Sequence, residues 1–182
     1  MSQAIGSLTL PGGRFEAVIA DLLAERTDAI VNAANGHLAH GGGVAAAIAR
    51  AAGPTLTREG DALIRAQGPL PTGGAVATSA GQLPFKAVIH AVGPRLGEGD
   101  EERLLVGSLL SAFRIADDRG YRSLSFPAVS SGIFAVPAET CARAYLAAAR
   151  AFLEERPAAR LRLIRLCLRE GSVAAELRRQ LA

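Results

Sequence analysis

Two segments of the sequence place asparagine, glycine and serine residues directly after runs of apolar residues. They are NAANGHLAHGGGV (32–44) and PAVSSGIF (127–134). Backbone N–H groups at a helix start are unpaired and carry positive dipole character, and glycine lets the main chain approach an anion closely. Together the segments predict two phosphate-binding loops, although each one alone is also typical of a turn that Asn or Ser caps.

Several other kinds of site are not indicated. The sequence contains neither Gly-x-x-x-x-Gly-Lys-Ser/Thr nor Gly-x-Ser-x-Gly, and His37, His40 and His90 lack the His-Glu-x-x-His spacing of a zinc site. Cys141 and Cys167 form no Cys-x-x-Cys pair, and we expect both to be buried as small apolar residues. These patterns give no support to a phosphate-loop NTPase, a nucleophile-elbow hydrolase or a metal centre.

A dinucleotide-binding dehydrogenase is an alternative that the glycine run leaves open. GGGVAA (41–46) satisfies Gly-x-Gly-x-x-Ala, and Glu59 or Asp61 follows about 20 residues later. In that fingerprint the first glycine directly follows a strand, whereas here the eight residues 33–40 intervene. The spacing therefore argues against a dehydrogenase.

The pattern of apolar residues predicts the elements that must hold these segments. Apolar runs predict a hairpin over residues 5–19 and further strands at 29–31, 75–78, 87–92, 123–126 and 161–168. Apolar residues three and four apart predict helices that begin near Val44 and Thr55 and that cover 105–116, 141–152 and 173–181. Strands that alternate with helices predict an α/β/α sandwich with a parallel or mixed sheet.

Composition narrows the class of protein further. The 182 residues, 49% apolar and 20% charged, are typical of a single folded domain over 1–182. No apolar run approaches the length of a membrane span and the first residues do not form a secretory signal, so we expect a cytoplasmic protein. The formal net charge of +3 is too small to indicate a nucleic-acid-binding surface.

Four segments resemble the macro domain family in their order and spacing: AIVNAAN (29–35), HGGGVAAAI (40–48), VIHAVGP (88–94) and FPAVSSGIF (126–134). The resemblance covers roughly residues 15–182. It implies a three-layer α/β/α sandwich with a mixed, about six-stranded sheet. It also implies that the partner is ADP-ribose, free or attached to proteins or nucleic acids, and that no cofactor or metal is needed.

The resemblance also implies roles for single residues. Asp21 matches the carboxylate that holds the adenine amino group, although its other interpretation is an N-cap of the following turn. Asn35 matches the asparagine that orients the distal ribose and is the catalytic candidate, while Asn32 braces the loop. Phe134 either packs near that ribose or fills the core. The full implied binding set is Asp21, Asn35, Gly41, Gly42, Gly43, Val44, Ser130, Ser131, Gly132, Ile133 and Phe134.

The sequence departs from the family pattern at two positions. Ala45 stands where one branch of the family often has an aspartate that orients water, although branches with His-Gly-Gly-Gly-Val-Ala include members that are active without it. Arg169 stands near the point where many members place an aromatic ring over adenine; it could stack on the base or be a solvated charge. We expect His90 to be a buried residue of the core.

The activity that the resemblance implies is hydrolysis of the bond between mono-ADP-ribose and a carboxylate side chain. The alternatives are a module that binds ADP-ribose without turnover, an O-acetyl-ADP-ribose deacetylase, and a phosphatase of ADP-ribose 1″-phosphate. Ala45 in place of a carboxylate keeps the non-catalytic alternative open.

Overall fold

Seven strands and five α-helices follow one another along residues 2–182, which are the residues that this computed structural model describes. The strands are β1 (Gln3–Leu10), β2 (Gly13–Ile19), β3 (Ala29–Ala34), β4 (Ala75–Thr78), β5 (Ala87–Val92), β6 (Ser123–Pro127) and β7 (Leu163–Leu168). The helices are α1 (Gly43–Ala52), α2 (Pro54–Gln67), α3 (Glu101–Asp118), α4 (Ala138–Glu155) and α5 (Ser172–Leu181). Each predicted element is present, and β3 continues to Ala34, so that Asn32 lies in a strand rather than a loop.

One mixed sheet contains all seven strands in the order β1-β2-β7-β6-β3-β5-β4. The five central strands run parallel, and the edge strands β1 and β4 are antiparallel to their neighbours. The expected count of about six strands is wrong by one. Both strands of the first hairpin join the sheet, because β2 pairs with β7 and β1 then extends the edge.

Helices cover both faces of the sheet, which confirms the three-layer architecture. Successive residues of a strand point to opposite faces. Val31 packs in a cluster with residues of α3, α4 and α5, whereas its neighbour Ile30 packs with Ile48 of α1 and Leu56 of α2. Within residues 2–182, no helix is both long and apolar enough to cross a membrane.

The parallel strands bring the predicted site segments to one edge of the sheet. Because β2, β7, β6, β3 and β5 share a direction, their carboxyl ends all lie along that edge. In this order they lead into Asp21, Arg169, the 128–137 segment, Asn35 and Gly93. Residues that are far apart in the sequence therefore become neighbours.

Candidate functional site

The two segments predicted to bind phosphate lie on either side of a cleft of about 170 Å³. We call residues 35–42, between β3 and α1, the first loop and residues 128–137, between β6 and α4, the second loop. The cleft is lined by Ala33, Ala34, Gly42, Gly43, Val44, Ala45, Ala128, Val129, Ser130, Gly132, Ile133 and Phe134. Most of the predicted binding residues are thus brought together, while Asp21, Asn35, Gly41 and Ser131 lie outside this lining.

The three glycines that lead into α1, Gly41 to Gly43, face open space. A Cβ atom built on Gly41 or Gly43 would have no neighbour within 4 Å, and one on Gly42 would meet only Ile133 Cδ1, at 3.9 Å. Gly43 has a φ of 58°, a conformation that favours glycine. The amide N–H groups from Gly41 to Ala45 have no hydrogen-bond partner in the described chain. The start of α1 therefore presents unpaired donors to the cleft.

The first loop is held by its own asparagine and by a buried leucine. The Asn35 Oδ1 atom accepts hydrogen bonds from the N–H groups of His37 and Ala39, both at 3.1 Å, and Asn35 Nδ2 donates to the Ala39 carbonyl at 3.1 Å. Leu38 is buried against Ala34 and Val92. Asn35 therefore shapes the loop, which is the bracing role expected for Asn32.

The second loop presents a buried hydroxyl and further free amides. Ser130 lines the cleft but is only 5% exposed, and its buried Oγ atom lies against Gly93 without a hydrogen-bond partner in residues 2–182. The N–H groups of Ser130, Gly132, Ile133 and Phe134 are also unpaired there. Ser131, by contrast, donates its hydroxyl to the Ala128 carbonyl at 2.8 Å and so holds the loop. These free amides are donors that an anionic ligand would satisfy.

Two apolar side chains form the outer rim of the cleft. Ile133 is 86% exposed. Phe134 is half-buried and lines the cleft, with the Arg95 guanidinium 4.6 Å from its ring centroid. The Leu96 N–H donates to the Phe134 carbonyl at 2.8 Å. The Phe134 ring therefore lies beside the cleft and not in the core, and its packing against a ribose stays a prediction.

Asp21 and Arg169 lie at the ends of the adjacent strands β2 and β7, away from the cleft lining. Asp21 Oδ1 accepts the Leu23 N–H at 3.0 Å, so the carboxylate caps the short 3-10 turn Leu22–Ala24. Arg169 is exposed, and it forms no salt bridge within residues 2–182. Capping uses one carboxylate oxygen of Asp21 and leaves the other for a ligand.

A buried polar network lies beside the first loop, and the sequence did not reveal it. His90, which is buried as expected, contacts Asn32 Nδ2 through Nδ1 and Thr78 Oγ1 through Nε2, both at 3.0 Å. The His40 ring is centred 6.0 Å from the His90 ring. Burial lowers the pKa of His90 to about 4, with a smaller contribution from His40, and burial also lowers the pKa of His40. Both rings are therefore neutral at pH 7.

The cleft lining contains no titratable side chain. Ala45, at the position where the resemblance suggests an aspartate, is buried. Any reaction in the cleft would therefore depend on positioning, main-chain donors and the charges of the ligand itself. In the described part of the chain, no three His, Cys, Asp or Glu side chains cluster closely enough to hold a metal ion.

A second hollow, of about 360 Å³, opens where β6 and β7 begin. Its central charges are already paired: Arg165 bonds to Glu16 and also donates to Glu25, with Nε 2.6 Å from Oε2. Burial of Glu25 opposes its ionisation, but hydrogen bonds from Arg165 and Ser125 outweigh that effect and hold its pKa below the ordinary value. This hollow has the character of a structural ion network.

Comparisons with known proteins agree with this geometry. Residues 31–145 match the model of the Macro domain family. The chain is 47% identical to an O-acetyl-ADP-ribose deacetylase of Escherichia fergusonii over 126 residues, 68% of this chain and 71% of that protein. It is 42% identical over 169 residues to an uncharacterized protein of Thermotoga maritima, covering 92% of this chain but only 28% of that longer relative.

A solved structure is similar over the whole chain. The macrodomain of Oceanobacillus iheyensis with ADP aligns with a TM-score of 0.89 and 32% identity, covering 100% of this chain and 95% of that one. Fold, loop positions and sequence therefore agree, and the chain belongs to the macro domain family.

Proposed function

We propose that this chain binds ADP-ribose and hydrolyses the bond between mono-ADP-ribose and a carboxylate side chain of a modified protein. The observation that carries the proposal is the cleft between two loops, whose lining residues include several with unpaired main-chain amides. Such donors suit the oxygens of a diphosphate. Similar proteins include the macrodomain with ADP and deacetylases named for an ADP-ribose ester.

The order of strands along the sheet edge supports one orientation of the ligand. Asp21 and Arg169 follow β2 and β7, the second loop follows β6, and the first loop follows β3. With adenine near Asp21, the diphosphate would lie between the two loops and the distal ribose at the end of the cleft farther from Asp21, near Asn35 and Phe134. ADP-ribose has its parts in this same order.

The reaction that we propose needs no protein base. Water attacks the anomeric carbon of the distal ribose, the C1″–O bond breaks, and its electron pair leaves with the carboxylate. The water proton passes to a phosphate oxygen of the ligand and then to solvent. Amides of both loops stabilise the phosphate charge, and Asn35, through the loop it shapes, fixes the position of the ribose.

A second candidate is removal of the acetyl group from O-acetyl-ADP-ribose, which the names of the relatives at 47% and 43% identity favour. The same cleft would place an acetyl ester of the distal ribose next to water. Here water attacks the acetyl carbonyl, the acyl C–O bond breaks, and acetate and ADP-ribose form.

The partners that we propose for the chain are ADP-ribose and mono-ADP-ribosylated proteins or nucleic acids. The cytoplasmic location stays a prediction.

Hydrolysis in ¹⁸O-labelled water tests these reactions. The protein is incubated with a peptide carrying ADP-ribose on a glutamate, and separately with O-acetyl-ADP-ribose, and the released acids are analysed by mass spectrometry. Attack on the anomeric carbon leaves the peptide carboxylate unlabelled, whereas attack on the acyl carbon labels it. We expect release of an unlabelled peptide. Tight binding without release from either substrate would contradict the proposed enzyme and favour a binding module.

A further inference from the structure

Tyr145, on α4, is fully buried, and its side-chain hydroxyl points at the second loop. Its hydroxyl donates to the Val129 carbonyl at 2.6 Å, and its ring packs edge-on against Phe126, with centroids 5.7 Å apart. Burial raises the pKa of Tyr145 well above its ordinary value, so the hydroxyl keeps its proton at every pH at which the protein functions. The hydroxyl is therefore a permanent donor placed under the loop.

The planarity of the peptide unit connects this hydrogen bond to the cleft. The Val129–Ser130 peptide is trans, so the Val129 C=O and the Ser130 N–H point in opposite directions. Because the carbonyl points inward to Tyr145, the Ser130 N–H points away from α4, on the side of the cleft that Ser130 lines. That N–H has no partner in the described residues.

The conformation around this peptide is one that needs support. Ser130 has a φ of 69°, in the left-handed region that non-glycine residues rarely adopt. The Val136 N–H donates to the Ser130 carbonyl at 3.0 Å, which fixes the next peptide. The Cys141 thiol is 4.0 Å from the Val129 carbonyl and closer, at 3.5 Å, to the Val136 carbonyl, so the 2.6 Å bond from Tyr145 is the main support of the Val129 carbonyl.

We propose that Tyr145 is a positioning residue: its hydroxyl holds the Val129–Ser130 peptide in the orientation that directs the Ser130 N–H at a ligand phosphate. Without this bond, rotation of the peptide relieves the strain at Ser130 and turns a carbonyl oxygen toward the phosphate, which it repels. The inference rests on the proposed function, because it needs a phosphate-bearing ligand in the cleft.

Two matched tyrosine variants test the role. Tyr145→Phe removes only the hydroxyl, and Tyr121→Phe makes the same change at the other tyrosine, whose hydroxyl has no hydrogen bond within residues 2–182. Affinities for ADP-ribose, ADP and adenosine are measured by calorimetry or NMR titration. We expect Tyr145→Phe to weaken ADP-ribose and ADP about tenfold, the loss of one charge-assisted hydrogen bond, and to leave adenosine unchanged. Tyr121→Phe should change none of them.

The outcomes separate the inference from the proposed function. If Tyr145→Phe binds ADP-ribose as tightly as the unmodified protein does, the inference is overturned. It is also overturned if Tyr145→Phe loses as much affinity for adenosine as for ADP-ribose, because that result indicates a merely structural role. An unmodified protein that does not bind ADP-ribose instead refutes the proposed function. If Tyr145→Phe does not fold, the ¹⁵N spectrum of the unmodified protein decides: saturating ADP must shift the Ser130 amide downfield, and an unmoved signal overturns the inference.

Discussion

Side chains around the cleft divide into those that face it and those that hold the loops. Ser130 and Phe134 line the cleft, whereas the Asn35 amide and the Ser131 hydroxyl bond to the main chain of their own loops. The sequence alone could not make this division, because Asn and Ser side chains serve in either role and an aromatic ring can lie in the core or beside a cleft. Which role each takes depends on the path of the loop.

The buried His90 predicts how stability depends on pH. Its pKa is about 4 in the folded protein, against 6.5 for an ordinary histidine. The unfolded chain therefore binds a proton between these values while the folded protein does not, so stability is complete above pH 6.5 and falls as the pH drops towards 4. We expect a loss of up to about 3 kcal/mol from this residue, with a further loss in the same direction from His40.

Urea unfolding at a series of pH values measures this effect. His90→Asn removes the titrating ring, so its free energy of unfolding should fall less between pH 6.5 and 4 than that of the unmodified protein. His37→Asn, at an exposed histidine, is the control and should retain the full fall. A pH dependence of His90→Asn that matches the control would contradict the low pKa assigned to His90.

The helices, the strands and the three-layer architecture were predicted correctly, but the order of the strands in the sheet was not predicted. Periodicity gave every strand and helix to within a few residues, because it reports which side of an element is apolar. It carries no information on strand order, and β2 pairs with β7 across almost the whole chain. Asn32 lies opposite His90 because β3 pairs with β5 in this order, so the hydrogen bond between them could not be predicted.

The start of α1 offers a direct test of the phosphate-loop assignment. Gly42 has an extended φ of 179°, which any residue can adopt, and a Cβ there would meet only Ile133 Cδ1, at 3.9 Å. Gly42→Val should therefore fold normally and fill the space for the diphosphate. We expect at least a hundredfold loss of ADP-ribose affinity in calorimetry, because several charge-assisted hydrogen bonds are lost together.

Gly107→Val is the matched control for this variant. Gly107 lies on α3 and a Cβ there also has open space, with no neighbour within 4 Å. Its ADP-ribose affinity should equal that of the unmodified protein. Normal binding by a folded Gly42→Val would exclude the first loop from the phosphate site.

The whole chain contributes to the sheet edge that carries the site. The family match ends at residue 145, yet β7 lies in the middle of the sheet and separates β2 from β6. Leu181 of α5 packs against Gly6 of β1, so the two ends of the described chain meet. We infer that the chain folds as a single domain, because β7, near the end of the sequence, joins the hairpin of β1 and β2 to the rest of the sheet.

The central claim is that main-chain amides of two loops, held at one sheet edge, bind a diphosphate. A crystal of the protein soaked with ADP-ribose tests it most directly. We expect phosphate oxygens about 3 Å from amide nitrogens of both Gly42–Val44 and Ser130–Phe134, with adenine on the side of Asp21. A ligand whose phosphates lie elsewhere, or a cleft that stays empty at saturating ADP-ribose, would contradict the account.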